Sequence, residues 1–564
     1  MGYSVSAEAE RRRSHSTRLG STRVRLLGAV AVAGATFATL IATSAAEPAA
    51  KPKPRRGGTV VVALHLDPPS LNYYLDLGAF RSTSEITDQV LASAYHDVGP
   101  GGESVPDLIV GDPKITPKPF SLTYTIKEKA RWSDGVPITG RDFVFTWQLL
   151  ARSPFAIPEN TREEYGEIVK AKILGPKRVR FVFRKPTLAW KDLFAPVLPW
   201  HALAGEDFDN VWRDRIDNPK TGQPIASGPF IFASRSRGSS LTLARNANYW
   251  GKKAYLDRLS FRFLLDYGDE LRALHDREID LMQETADLAF GDLPNSPGIR
   301  VQSGGTTLWE HIDFQLGSKG DPALKQPFVR QAIAYGIDRK TLTAQLYKGL
   351  APGLKTNQSA IFLPFQRQYR SHWQIWGYNP QKAVRLLRSH GCRKASDGIF
   401  SCDGRRLSFR FASTGVGLRE RTFDLIQLQL RHVGIDLVKN YSLLFVRDLL
   451  PQGDWDLALF AWGRAVDPAG ADSQAFWACN GVLNYLGYCD RRVTRLLLKA
   501  ATELSSSKRE LLLNRADALI ARDLPTLPLF LKPGYLIYNS RIRNLTWNPI
   551  DVLWNTQDWW IAPP

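Results

Sequence analysis

Trp132-Ser133-Asp134-Gly135-Val136-Pro137-Ile138-Thr139-Gly140-Arg141-Asp142-Phe143-Val144-Phe145 reads as a turn that feeds a capped helix. Asp134-Gly135 is a turn pair. Thr139 with Asp142 three residues on is helix-start chemistry: the hydroxyl accepts an orphan N–H and the acid suits the helix's positive end. The helix is expected to run through Leu150. Working outward, Thr59 to His65, Leu122 to Ile126, Val179 to Phe183, Phe230 to Phe232, Arg258 to Leu265, Asp436 to Ser442 and Asp456 to Trp462 carry strand patterns. Ser82 to Tyr95, Leu271 to Arg277, Val329 to Ile337, Pro380 to His390 and Thr422 to Val433 carry helical ones, and Thr306 to Leu316 is expected to be extended. Strands and helices alternate, so the lobes are mixed α/β.

The chain has 564 residues, too many for one ordinary core, so two or three lobes are expected. Hydrophobic residues make up 44% and charged residues 23%, the balance of a folded chain rather than a disordered one. Of the net charge of +19, seven units sit in residues 1–58, which hold ten Lys or Arg and three acids. No nucleic-acid motif accompanies the remaining basicity, so it is read as a solvated surface or one that faces an anionic envelope. The basic region Arg11 to Arg25 precedes an uncharged stretch, Leu26 to Ala46, ending in small residues. This reads as an export signal, with an uncleaved anchor as the alternative for 1–46. Residues 47–58 form a Pro-rich basic linker.

Four cysteines fall as two local pairs, Cys392/Cys402 and Cys479/Cys489. Local pairing is the simplest of three connectivities in an exported chain, each bridge contributing ~2–3 kcal/mol. Zinc is the rival reading, disfavoured by the wide spacing and the lack of nearby His. Nine histidines are scattered without metal-ligand spacing, so no metal is expected. Gly-x-Ser-x-Gly, His-Glu-x-x-His, Walker and Gly-x-Gly-x-x-Gly patterns are missing, which argues against an enzyme and against a cofactor.

Four blocks recur in one order: the Trp132 block, Ser227-Gly228-Pro229-Phe230, Arg245-Asn246-Ala247-Asn248-Tyr249-Trp250, and Val329-Arg330-Gln331-Ala332-Ile333-Ala334-Tyr335-Gly336-Ile337-Asp338-Arg339. Together they resemble the extracellular solute-binding proteins of family 5, the oligopeptide- and dipeptide-binding proteins of peptide ABC importers. The resemblance covers nearly all of 59–540. It implies a two-lobed fold like the type II periplasmic binding proteins, with an extra domain inserted in the first lobe. Lobe I would be 59–98, 223–305 and 531–564, the insert 99–222, and lobe II 306–530. It also implies an exported monomer at the cell envelope or in a periplasmic-like space, taking up a peptide or other small solute and docking on ABC permease subunits. The early lipid-modified cysteine often used by Gram-positive members is missing here.

Trp309, His311 and Asp313 share one face of an expected strand at a lobe junction, where they could line a cleft or pair as hinge residues. The stretch Trp462-Gly463-Arg464-Ala465-Val466-Asp467-Pro468 follows a strand. In the family it enters the cleft, and an aspartate three residues after the tryptophan holds the ligand's ammonium. Ala465 stands there in this chain. Asp467 can substitute or can belong to an Asp-Pro turn, and Arg464 can meet an anion. Arg419 and Arg421 stand near the arginine that dipeptide-binding members use for the ligand's carboxylate. Ala465 also leaves room for a non-peptide solute or for a ligand-sensing surface protein.

Overall fold

The computed structural model describes residues 53–564 apart from 79, 100, 102, 189, 286–295, 352, 464–470 and 564. The segment 1–46, expected to be an export signal or anchor, and residues 47–52 of the linker lie outside them. Ten strands form one continuous sheet: β1 (Thr59–Leu64), β2 (Phe230–Ser236), β3 (Ser240–Arg245), β4 (Arg258–Phe263), β5 (Leu281–Thr285), β6 (Ile299–Phe314), β7 (Ser408–Ser413), β8 (Asp436–Tyr441), β9 (Leu457–Gly463) and β10 (Thr526–Asn539). Their order across the sheet is β2-β3-β4-β1-β5-β10-β6-β9-β7-β8.

Two cores flank this sheet. The first collects β1 to β5 with the segment around the Trp132 block, including Val60, Trp132, Phe143, Phe181 and Phe261. The second collects Trp309, Phe411, Leu457 and Leu527 with the helices packed on them. A smaller four-stranded sheet, Lys114–Pro117, Phe120–Thr125, Ile168–Gly175 and Arg178–Phe183, lies in the segment between β1 and β2. The architecture is mixed α/β and two-lobed, as expected. Both local cysteine pairs, Cys392–Cys402 and Cys479–Cys489, are disulfides. Among the described residues no helix is long and apolar enough to cross a membrane.

The Trp132 block does structural work. Thr139 caps the helix Gly140–Arg152, and Asp142 closes a capping box by accepting the Thr139 N–H at 2.7 Å. The other Asp142 oxygen accepts from Trp132 Nε1 at 3.2 Å and from the Trp200 N–H at 3.1 Å. The fourth block is equally structural. Buried Arg330 donates to the carbonyls of Leu324, Asp523 and Leu524. Buried Arg339 donates to those of Asn357, Trp373 and Pro528. Burial draws the Arg339 guanidinium down to about 10, and the carbonyls that ring it compensate for the lost water.

The expected helix Ser82 to Tyr95 is shorter, Arg81–Thr87, with a strand from Tyr95. A larger departure is β10, which the sequence hides behind Pro528 and Pro533. A proline donates no ladder hydrogen bond, so it argues against a central strand. Here the pairing itself breaks around both positions. Gly305 pairs Pro533, the register then jumps to Trp309 opposite Leu531, and it shifts again between Glu310 and His311. Strands β6 and β10 are the two that run through both lobes, so this irregular stretch is where the lobes join.

Gly304 and Gly534 face each other there. A Cβ on Gly304 would overlap Trp547 Nε1, and one on Gly534 would overlap Trp547 Cη2. The indole therefore lies across both glycines, and the backbone N–H of Trp547 donates to Gln302 Oε1 at 3.1 Å. Replacing Gly304 by Ala must push the ring away. Gly304→Ala is expected to lower stability by ~1–3 kcal/mol in chemical denaturation, the usual cost of overpacking. A change under a few tenths would show that the ring moves freely.

Candidate functional site

Strand direction locates the crevice. In the first lobe β1 pairs parallel with β4 and β5. Both β5 and β6 are antiparallel to β10, so the first-lobe strands run the same way as β6 and end toward its middle. In the second lobe β9 is antiparallel to β6 and parallel to β7, so those strands end toward the same middle from the other side. The carboxyl ends of both sets converge on the irregular stretch of β6 and β10. In open α/β sheets ligands bind outside such ends, where the chain turns away and backbone and side chains face a gap.

Each lip exposes apolar side chains. The segment after β1 presents Leu66, Tyr73, Leu77 and Phe80, and the turns after β7 and β8 present Val416, Leu443, Leu444 and Val446. Contiguous exposed apolar surface on a folded lobe marks a contact or binding surface. Beside the first lip lies a cavity of ≈ 520 Å³ walled by Tyr73, Tyr74, Phe80, Asn160, Glu164 and Asp192.

A second cavity, ≈ 250 Å³, shares Tyr73 and Arg81 with it and carries five carboxylates: Glu85, Asp88, Asp97, Asp107 and Asp551. Arg81 Nε meets Glu85 at 2.8 Å, and His96 Nε2 donates to the Trp554 carbonyl at 2.9 Å. Burial, then the neighbouring Asp551, pushes Asp88 up to about 8. Burial likewise raises Glu85, Asp107 and Asp551. Burial opposes charge on His96, but Asp551, the Trp554 carbonyl, Asp107 and Asp88 outweigh it and raise that ring. Among the described residues no group of His, Cys, Asp or Glu is placed to hold a metal ion. None of these acids was singled out in the sequence, because they come from three separated segments.

The candidates read from the sequence fare differently. Trp309, His311 and Asp313 do share a face, but that face is covered and lines no open crevice: all three are buried. The Trp309 and His311 rings stack at 4.0 Å, His311 packs on Phe460 at 4.4 Å, and His311 Nε2 lies 3.5 Å from Asp313 Oδ1. A central strand of a two-lobed sheet is covered on both sides, so alternation does not reveal a wet face. Glu310, on the opposite face with Ile312 and Phe314, borders a cavity.

Arg419 is taken: its Nε donates to Glu310 Oε1 at 2.7 Å and its Nη1 to Thr414 Oγ1 at 3.2 Å. Arg421 stands exposed on the helix Leu418–His432. Trp462 pairs with Trp309 across the sheet and packs on Phe460, Phe476 and Tyr485 at the crevice end of β9. Arg464, Ala465 and Asp467 lie outside the described residues.

The acidic cavity makes stability pH-dependent. Asp88 holds its proton in the folded protein well above the ordinary carboxylate range, so the folded state binds more protons than the unfolded one between about pH 4 and pH 8, and stability falls as pH rises through that window. Asp88→Asn is therefore expected to be more stable than the parent by ~1 kcal/mol or more at about pH 8, with the gap closing near about pH 4. Thermal melting at the two pH values checks this, and a pH-independent difference would contradict it.

A family model described as "Bacterial extracellular solute-binding proteins, family 5 Middle" matches residues 103–484. The oligopeptide-binding protein OppA of Mycobacterium tuberculosis is 26% identical over 498 residues, covering 86% of this chain and 82% of that protein. Among solved structures, the periplasmic EDTA-binding protein EppA is 25% identical with a TM-score of 0.74, covering 91% of this chain and 98% of the other. The oligopeptide-binding protein AppA of Bacillus subtilis, in complex with a nonapeptide, superposes with a TM-score of 0.62 at 19% identity over 91% of this chain and 100% of the other.

Proposed function

The chain belongs to the bacterial extracellular solute-binding proteins of family 5, and on that premise we propose that it is the exported substrate-binding subunit of a peptide-type ABC importer. It captures an oligopeptide or dipeptide between its lobes and hands it to membrane permease subunits. The observation that carries this reading is the convergence of both lobes' strand ends on one irregular hinge. A ligand in that gap touches both walls only when they approach, so binding shifts an open–closed equilibrium by its extra affinity for the closed form. Apolar lips with charged groups set behind them suit a ligand of varied side chains and fixed polar main chain. The division into 59–98, 223–305 and 531–564, with 99–222 inserted and 306–530 as the second lobe, is part of this proposal. So is a monomer acting outside the cytoplasmic membrane.

A non-peptide solute is the second reading. The similarity to an EDTA-binding protein and Ala465 in place of the ammonium-binding aspartate both favour it. Incubation with a mixed pool of short peptides, followed by native mass spectrometry, separates the two. The peptide reading expects intact peptides retained one per chain. Accumulating cleavage products would overturn the importer reading, and an unretained pool would favour the non-peptide solute. For a retained peptide, Asp467→Ala is expected to weaken binding by ~1.5–3 kcal/mol, the range for a charge-assisted hydrogen bond, and Arg464→Ala to leave it unchanged. Calorimetry gives the answer; the opposite pattern would mean that this segment reads an anion.

A further inference from the structure

A cavity of ≈ 330 Å³ lies against the hinge strands, walled by Gly305, Leu354, Phe365, Leu531 and Pro533. Adjacent strand residues point to opposite faces. Phe530 and Lys532 line the cavity beside Glu310, whereas Leu531 and Pro533 line this one. Val416, an apolar side chain of the second lip, also lines the Glu310 cavity, so that face looks into the crevice. The cavity at Leu531 and Pro533 therefore sits on the back of the hinge, on the face turned away from the crevice.

Its outer wall is a strap. After the helix Arg339–Leu346 the chain runs from Tyr347 to Phe365 over the back of β6 and β10. Leu350 packs in the first lobe, with Ala63, Met282, Tyr535 and Ile537. Further on, Thr356 bridges to Phe530, and the Asn357 N–H donates to the Leu529 carbonyl at 2.9 Å. Leu354 and Phe365 pack on the second core. One strap thus touches both lobes, and the cavity is enclosed between it and the stretch where the ladder breaks. Bending there must change the cavity's size, because closing the crevice spreads the face behind it.

The lining sets the occupant. The walls are apolar, and Ser303 and Lys355, both exposed, bring polar groups to the mouth. An apolar cavity of about 150 Å³ holds one benzene ring, so this one has room for roughly twice that body, on the order of ten heavy atoms.

We propose that this cavity is a regulatory site for a small amphiphile, a compact apolar body with one anionic end such as a medium-chain carboxylate, and that its occupancy favours the closed lobes. The body fills the space between Leu354, Phe365 and Leu531, and the anionic end stays at the mouth beside Lys355. An occupant resists collapse of the back face, so it biases the equilibrium toward the arrangement in which that face is spread. By linkage, a captured solute tightens the amphiphile in return. The site does not depend on what the crevice captures; its coupling rests on the lobe closure proposed above.

Octanoate is the probe, with 1-octanol as its neutral counterpart and acetate as the head group alone. Calorimetry on the full-length protein is expected to give one saturable octanoate per chain and no acetate. Gly353→Leu, at a position where a Cβ meets nothing within 4 Å, and Ala351→Leu both fill the cavity and should abolish that binding. Lys355→Gln should weaken octanoate about threefold, the scale of an exposed ion pair, and leave 1-octanol unchanged. In crystals soaked with 8-bromooctanoate the bromine should lie between Phe365 and Leu531. Bromine in the crevice, or full binding in both filled variants, would overturn the site, and binding of 1-octanol without octanoate would overturn the anionic end. Both disulfides leave no free cysteine, so nitroxides on Leu77→Cys and Leu443→Cys, one on each lip, report closure. Octanoate should shorten the distance between the labels in the parent and leave it unchanged in Gly353→Leu. Octanoate bound without a shorter distance would overturn the coupling. A peptide pool left unretained by the same preparation would sink the peptide reading and leave this site standing.

Discussion

Strands β6 and β10 pair with each other through both lobes, and everything else hangs on how that pairing fails in the middle. A fully regular ladder would weld the lobes into one block. A complete break would leave two domains on loose linkers. What forms is a ladder with a jump between Gly305 and Trp309, two facing glycines and one indole laid across them. The backbone there has fewer cross-strand hydrogen bonds to lose when it bends, while the cores on either side stay closed. Packed cores do not deform continuously, so the lobe closure proposed above falls on the irregular stretch rather than on the cores.

Three arginines are spent on structure: Arg330 and Arg339 bind carbonyls inside the second lobe, and Arg419 is tied to Glu310. The chain is basic overall, yet the first-lobe wall carries five carboxylates around one cavity, with Asp88 holding a proton near neutral pH.

Much of the fold was legible in one dimension. The Thr139–Asp142 spacing announced a capping box, and the structure forms it bond for bond. The strands at Phe230, Arg258 and Asp456 and the helices at Val329, Pro380 and Thr422 were visible because hydrophobic periodicity is a local property. The site was less legible. Trp309, His311 and Asp313 looked like a polar face, but a strand with neighbours on both sides and helices above and below has no wet face, and the three pack on one another instead. Arg419 looked free because Glu310 stands more than a hundred residues away in the chain.

By itself, the sequence determined the α/β elements, the caps that start them and the family blocks that hold them. Each depends on neighbours within a few positions, where spacing alone sets geometry. Only the tertiary structure decided that Thr526–Asn539 is a strand despite Pro528 and Pro533, because a bulge in the facing strand accommodates them. It alone decided which charges cancel. Pairing of Glu310 with Arg419, and of Asp88 with the field of Asp551, is set by distance through space and by the water that folding removes, and neither quantity is written in the order of the residues.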